Sequence, residues 1–127
     1  MRYLIDSSAW IEYLNGSGQG EEINKLLEGD NEILVLSLNI AEVISYVKRN
    51  KNNVELAYNS IIKNSKVLQI TPKIAKDAGL LHADFKKQNP GFSLADAFMI
   101  VSAQNFLCRL VTIDNHFKDF KEAILIK

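Results

Sequence analysis

Four carboxylates stand where an acid can work. Asp6 follows the apolar run Tyr3-Leu4-Ile5, and Asp114 follows Leu110-Val111-Thr112-Ile113. Both runs read as strands that stop at the acid. Glu42 lies three residues after Asn39, and Asp96 three after Ser93, each in the first turn of a helical stretch. In an open parallel sheet, ligands bind beyond the carboxyl ends of the strands. Acids at these positions can therefore share one cleft. Four carboxylates gathered there would repel one another and push their pKa values upward. A hard divalent cation relieves that repulsion, and oxygen-only ligands suit Mg²⁺ or Mn²⁺. Such a site activates water and clamps a phosphodiester, with one metal or two.

Each acid also has a plain structural reading. Asn39-Ile40-Ala41-Glu42 and Ser93-Leu94-Ala95-Asp96 both look like capping boxes, in which the acid ties down the start of a helix. Acids in a first turn also suit the helix dipole, and Asp6 and Asp114 can be simple N-caps after strands. Asp96 is the hardest to dismiss this way. It shares a helical face with Met99, Ile100 and Ala103, and the neighbouring faces carry Phe98, Val101 and Leu107. A carboxylate on a helix buried nearly all round needs a cation or several donors. Glu42 lies away from the Ile40, Val43, Ile44, Val47 stripe, yet its first-turn place still lets it reach the end of the sheet.

The elements that must position these acids alternate along the chain. After the first strand, Ser7 or Ser8 caps a helix carrying Trp10, Ile11 and Leu14, which Asn15-Gly16-Ser17-Gly18 ends. A second helix runs from about Glu21 to Glu28. Ile33-Leu34-Val35-Leu36 is a continuous apolar run, the pattern of a strand buried on both faces. The i, i+3, i+4, i+7 stripe from Ile40 to Val47 makes an amphipathic helix, and another follows from Val54 to Ile62. Val67-Leu68-Gln69-Ile70 reads as a third strand. A helix opens at Pro72 and runs to about Lys87, then Asn89-Pro90-Gly91 turns. Leu94 to Leu107 is the most apolar helix, Leu110–Ile113 a fourth strand and Ala123-Ile124-Leu125-Ile126 a fifth. This order predicts a three-layer α/β/α sandwich around a central, mainly parallel sheet.

Composition narrows the classes. The 127 residues give one domain, 1–127, large enough to bury a core unaided. An apolar fraction of 47% with 24% charged residues excludes intrinsic disorder. A single cysteine, Cys108, excludes an internal disulfide framework and a cysteine zinc site, and fits a reducing, cytoplasmic setting. The first residues lack the apolar run of a signal peptide, and no stretch approaches the ~18 apolar residues of a membrane span. Fifteen basic against fifteen acidic residues exclude a generic DNA-coating protein. A nucleic-acid enzyme, with acids at the site and bases around it, remains.

At the four acids the chain resembles the PIN-domain ribonucleases, and within them the VapC-like toxins of toxin–antitoxin pairs. Leu4-Ile5-Asp6-Ser7-Ser8-Ala9-Trp10-Ile11 is similar to the family's opening strand, first metal acid and hydroxyl residue. Asn39-Ile40-Ala41-Glu42-Val43 resembles the second acid, and Leu94-Ala95-Asp96-Ala97-Phe98-Met99-Ile100-Val101-Ser102-Ala103 the third. Thr112-Ile113-Asp114-Asn115-His116-Phe117 resembles the terminal Thr-x-Asp with its following turn and phenylalanine. Serine at position 7 stands where the family often has threonine and keeps the hydroxyl. The resemblance spans nearly the whole chain. It implies a Mg²⁺- or Mn²⁺-dependent endoribonuclease of a VapBC-type system, cleaving RNA by metal-activated water to leave a 5′-phosphate. Asp6, Glu42, Asp96 and Asp114 would hold the metal or orient its water. Ser7 and Thr112 would fix carboxylate rotamers or touch phosphate. A small antitoxin that occupies the cleft, and a homodimer, are the implied partners.

Other features weigh less. His82, beside Leu80 and Leu81, reads as a packing or surface residue. His116 lies two residues after Asp114, near the expected cleft, but neither histidine falls in a histidine–metal motif. Lys48-Arg49-Asn50-Lys51 and Lys86-Lys87 are basic runs that suit helix ends or RNA phosphate. Trp10, Tyr13 and Leu14 suit the core or a dimer surface, and Cys108 inert packing. The competing reading is an interaction protein of the same fold, whose acids only cap helices or hold a structural cation. A response-regulator receiver wants paired acids after the first strand, where Asp6 stands alone. A haloacid-dehalogenase-type phosphatase wants Asp-x-Asp, and Ser8 fills that second position.

Overall fold

A computed structural model describes all residues, 1–127. Five strands form one sheet: β1 (Arg2–Ile5), β2 (Glu32–Leu36), β3 (Lys66–Leu68), β4 (Arg109–Thr112) and β5 (Ala123–Leu125). Their order is β3-β2-β1-β4-β5, and every neighbouring pair is parallel. Six helices cover it: α1 (Ser7–Asn15), α2 (Gly18–Glu28), α3 (Ser37–Arg49), α4 (Val54–Asn64), α5 (Pro72–Lys86) and α6 (Leu94–Asn105). A short 3₁₀ turn, Asn115–Phe117, lies between β4 and β5.

Continuous apolar strands do here what the sequence pattern predicts. Alternate residues leave the sheet on opposite sides, so both faces are buried. Leu4, Leu34, Leu36 and Leu110 join one core with Ile74, Ala78, Phe92, Met99 and Ile100 from the α5–α6 side. Ile5, Ile33, Val35 and Val111 join another with Trp10, Ile23, Val43, Val47 and Ile61 from α1–α4. The result is the expected α/β/α sandwich. Helices α1 and α2 approach so closely that a Cβ at Gly20 would stand 2.1 Å from the Glu12 carbonyl oxygen. Gly16 closes α1 in the left-handed region at φ 68°.

Several boundaries differ from expectation. Helix α2 begins three residues early because Ser17 caps it through the Gly20 N–H. The third strand shrinks to Lys66–Leu68, and the strand expected at 110–113 sits at 109–112. Helix α6 stops at Asn105, and Leu107 turns the chain into β4 with φ 52°. The consequential change is at α3, which starts at Ser37 directly after β2. Asn39 is therefore not an N-cap, and Asn39-x-x-Glu42 is not a capping box. Asn39 is a buried third residue whose Oδ1 accepts from the Leu36 N–H at 3.2 Å. Glu42 sits in the second turn rather than the first.

Candidate functional site

Strand β1 is the switch point of the sheet, because the chain turns toward β2 on one side and later adds β4 on the other. A crevice opens beyond the carboxyl ends of strands at such a point. A cleft of about 160 Å³ lies there. Asp6, Glu42, Asp96 and Asp114 all line it, with Ser7, Ser8, Asn39, Ala95, Met99 and Phe117. Four elements thus bring the four sequence-predicted acids together. A larger groove of about 440 Å³ between α2 and α4 has Glu28 as its one carboxylate.

Asp6 is the most enclosed of the four, at 5% exposure. It caps α1 in place of the expected Ser7 or Ser8, its Oδ1 accepting from the Ala9 N–H at 3.0 Å. Ser8 Oγ donates to the same oxygen at 2.7 Å, and Thr112 Oγ1 donates to Oδ2. Burial pushes the Asp6 carboxyl up from 3.8 to about 6, against the opposing pull of the Thr112, Ala9 and Ser8 hydrogen bonds. The negative charge of Asp114 adds to the rise. Thr112 ties the two aspartates to one another, since its Oγ1 also accepts from the Asp114 N–H at 2.9 Å.

Asp96 and Asp114 are held by main-chain donors. Asp96 closes the expected capping box: its N–H donates to Ser93 Oγ at 3.0 Å, and its Oδ2 accepts from the Ser93 N–H at 2.9 Å. Asp114 caps the 3₁₀ turn by accepting from the His116 N–H at 2.8 Å. Glu42 is exposed and fixed by one side chain. Ser7 Oγ donates to Glu42 Oε1 at 2.6 Å and accepts from Asn39 Nδ2 at 3.0 Å. The Asn39 donor therefore leaves the single Ser7 hydrogen free to point at Glu42.

Two residues that the sequence set little store by belong here. His116 Nδ1 lies 3.3 Å from Asp114 Oδ1 and 3.6 Å from Asp96 Oδ2. The turn after Asp114 swings its imidazole back over the acids while Phe117, at 1% exposure, plugs the core beneath. The sequence offers Asn39 as a cap, and its place in the hydrogen-bond chain to Glu42 depends on where α3 begins. His82 instead stacks on Phe92, with ring centroids 6.5 Å apart, as a packing residue does. Cys108 is buried, and burial pushes its thiol up, which suits inert packing. Lys48 and Arg49 end α3 more than a turn beyond Glu42, outside the cleft lining. Lys86 and Lys87 directly precede the 88–92 turn, which shares a second groove with His116.

The donor set suits a hard divalent ion. It offers four carboxylates on one small cleft, one of them held above the usual carboxylate range by burial and by a like charge.

Known proteins of the same shape carry this arrangement of strands and helices. A toxin–antitoxin complex from Klebsiella pneumoniae superposes with a TM-score of 0.78 at 18% identity, covering 98% of both chains. VapBC2 from Rickettsia felis, solved with a promoter DNA fragment, gives 0.78 at 18% identity over 98% of this chain and 97% of that one. Mycobacterium tuberculosis VapC20, described as a toxin that cleaves the sarcin–ricin loop, gives 0.75 at 13% identity over 91% and 92%. At these identities the likeness is one of fold. No curated protein sequence matches the chain. The sequence itself matches the PIN domain model over residues 3–123, a span that runs from β1 to β5 and takes in all four acids, and the chain belongs to the PIN-domain family.

Proposed function

We propose that this single PIN domain is a Mg²⁺- or Mn²⁺-dependent endoribonuclease, the toxin of a VapBC-type toxin–antitoxin pair. The strongest support is the convergence of Asp6, Glu42, Asp96 and Asp114 on one cleft at the switch point of the sheet. Asp6, Asp96 and Asp114 would hold the ion, and Glu42 would hold it or orient water beside it. Bound there, a divalent ion supplies Lewis acidity and an activated water for phosphodiester hydrolysis, leaving a 5′-phosphate. The chain's own residues keep the carboxylates in place. Thr112 and Ser8 fix both oxygens of Asp6, Ser93 fixes Asp96, and Ser7 aims Glu42. An RNA strand is the substrate in this reading, and a small antitoxin laid across the cleft is the inhibitor. The fold neighbours include VapBC and FitAB assemblies, which favours an antitoxin partner. A homodimer and a cytoplasmic location complete the proposal. No helix is long and apolar enough to cross a membrane.

A test needs labelled RNA, the purified protein, and either Mn²⁺ or a chelator. Cleavage that requires the ion, yields 5′-phosphate ends and vanishes in a folded Asp96→Asn variant supports the reading. Full cleavage by that variant overturns it.

A second reading has its own observation. Asp6, Asp96 and Asp114 each cap a helix or turn. An interaction protein needs no more from them than that. It predicts that replacing any of the three by alanine lowers stability, with ion binding absent throughout.

A further inference from the structure

We infer, building on the metal-dependent reading above, that His116 is a further ligand, and the one nitrogen donor, to the ion held by Asp96 and Asp114, and that its imidazole tilts the site toward Mn²⁺ over Mg²⁺. One ligand atom from each of the three residues falls within 4.8 Å of the others. The separations of His116 Nδ1 from Asp114 Oδ1 and Asp96 Oδ2, 3.3 and 3.6 Å, are long for an N–H···O bond, which favours ~2.7–3.2 Å. They suit neighbours around a shared ion. Donors ~2.1 Å from one centre stand roughly 3.0–3.5 Å apart at octahedral or tetrahedral angles.

The two carboxylate donors are held before any ion arrives, and the half-exposed imidazole leans against a turn. Asp114 Oδ1 accepts from the His116 N–H, and Asp96 Oδ2 from the Ser93 N–H. Each of those oxygens keeps a second lone pair. The far edge of the imidazole is backed by the Asn89-Pro90-Gly91 turn. A Cβ at Gly91 would stand 3.2 Å from His116 Nε2, so only a glycine leaves the ring that room without a shift. Phe92, just beyond the turn, is anchored against Phe85 and Phe120 at centroid distances of 4.7 and 5.5 Å. Nε2 thus faces a braced turn and Nδ1 faces the acids.

A nitrogen donor changes which ion the site prefers. Mg²⁺ favours oxygen ligands and keeps its waters, whereas imidazole suits the first-row transition ions. Replacing one oxygen by Nδ1 therefore helps Mn²⁺ and does nothing for Mg²⁺.

The test is calorimetric titration of Mn²⁺ and of Mg²⁺ into the wild type, His116→Ala and Asp96→Asn, with electron spin echo spectra of the bound Mn²⁺. The chain has only two histidines, so His82→Ala is the control. The wild-type and His82→Ala spectra should show imidazole nitrogen coupled to Mn²⁺, and His116→Ala should lose it. Mn²⁺ affinity should fall about tenfold or more in His116→Ala, with Mg²⁺ affinity changed less than about threefold. Nitrogen-free spectra from the wild type, or unchanged Mn²⁺ affinity in His116→Ala alongside a clear loss in Asp96→Asn, would overturn the role of His116 alone. Unchanged binding in Asp96→Asn, or none in the wild type, would overturn the metal site itself and His116 with it.

Discussion

Asp6 and Asp96 form a buried and an open wall of one cleft and are held by different means. Asp6 is almost fully buried, and two hydroxyls, Ser8 and Thr112, join a single backbone donor around it. Asp96 is more open, and a main-chain N–H from its own helix start holds it. The buried wall carries an electrostatic cost, since desolvation favours the protonated acid. The open wall can accept substitutions that conserve shape, because its support comes from the backbone. The buried wall depends on side chains contributed from α1 and β4 together.

The largest expected effect comes from the open wall. Asp96→Asn keeps an oxygen for the Ser93 N–H, so the helix cap should survive and the melting temperature should move little. Its RNase activity should drop by well over ~100-fold, the upper range for residues that merely support a metal ligand. If full activity persists in the folded variant, Asp96 serves only as a cap and the contrast between the walls collapses.

The buried wall makes a prediction about pH. Asp6 in the folded, metal-free protein titrates at about 6 against an ordinary 3.8. A raised acid holds its proton in the folded state where the unfolded chain has released it. The stability this contributes is full below 3.8 and is lost as pH rises through about 6. Its size is roughly 3 kcal/mol at most. In chelator, the wild type should lose stability relative to Asp6→Asn between pH 4 and 7, as read by denaturant titration. Parallel curves for the two proteins would remove the asymmetry.

Thr112→Val tests what joins the walls. It removes the donor to Asp6 and strands the Asp114 N–H that Thr112 accepts. A loss of about 1–3 kcal/mol follows from the stranded donor. Mn²⁺ affinity should weaken about 10- to 100-fold, measured by calorimetry. Ser7→Ala is the mildest change, because Glu42 is exposed and water can replace the hydroxyl. Less than about tenfold loss of activity is expected there. A larger loss would show that the Asn39–Ser7–Glu42 chain matters more than its exposure implies.

Much of this was legible in one dimension. The strands announced themselves as continuous apolar runs, and the acids at their ends follow from where parallel strands must stop. Ser93 with Asp96 is a local signature, and the structure keeps it. Asn39 misled because β2 passes into α3 with no polar cap, so a residue of capping type fell inside the helix. Ser8 meets Asp6 within the first turn of α1, but Thr112 reaches it only through tertiary packing. His116 was hardest to read, since its approach to Asp96 depends on a three-residue turn that no periodicity signals.

The placing of β4 next to β1 has a consequence in time. Asp6 and Thr112, hydrogen-bonded partners, are 106 residues apart in the chain. A nascent polypeptide that has reached α6 already carries Asp6, Glu42 and Asp96, yet it lacks the strand that seals the crevice and the residue that caps it. Contacts of such long sequence separation form late and slowly. During synthesis the proposed nuclease is therefore unarmed until its last sixth emerges, which gives any inhibitor made beside it a head start.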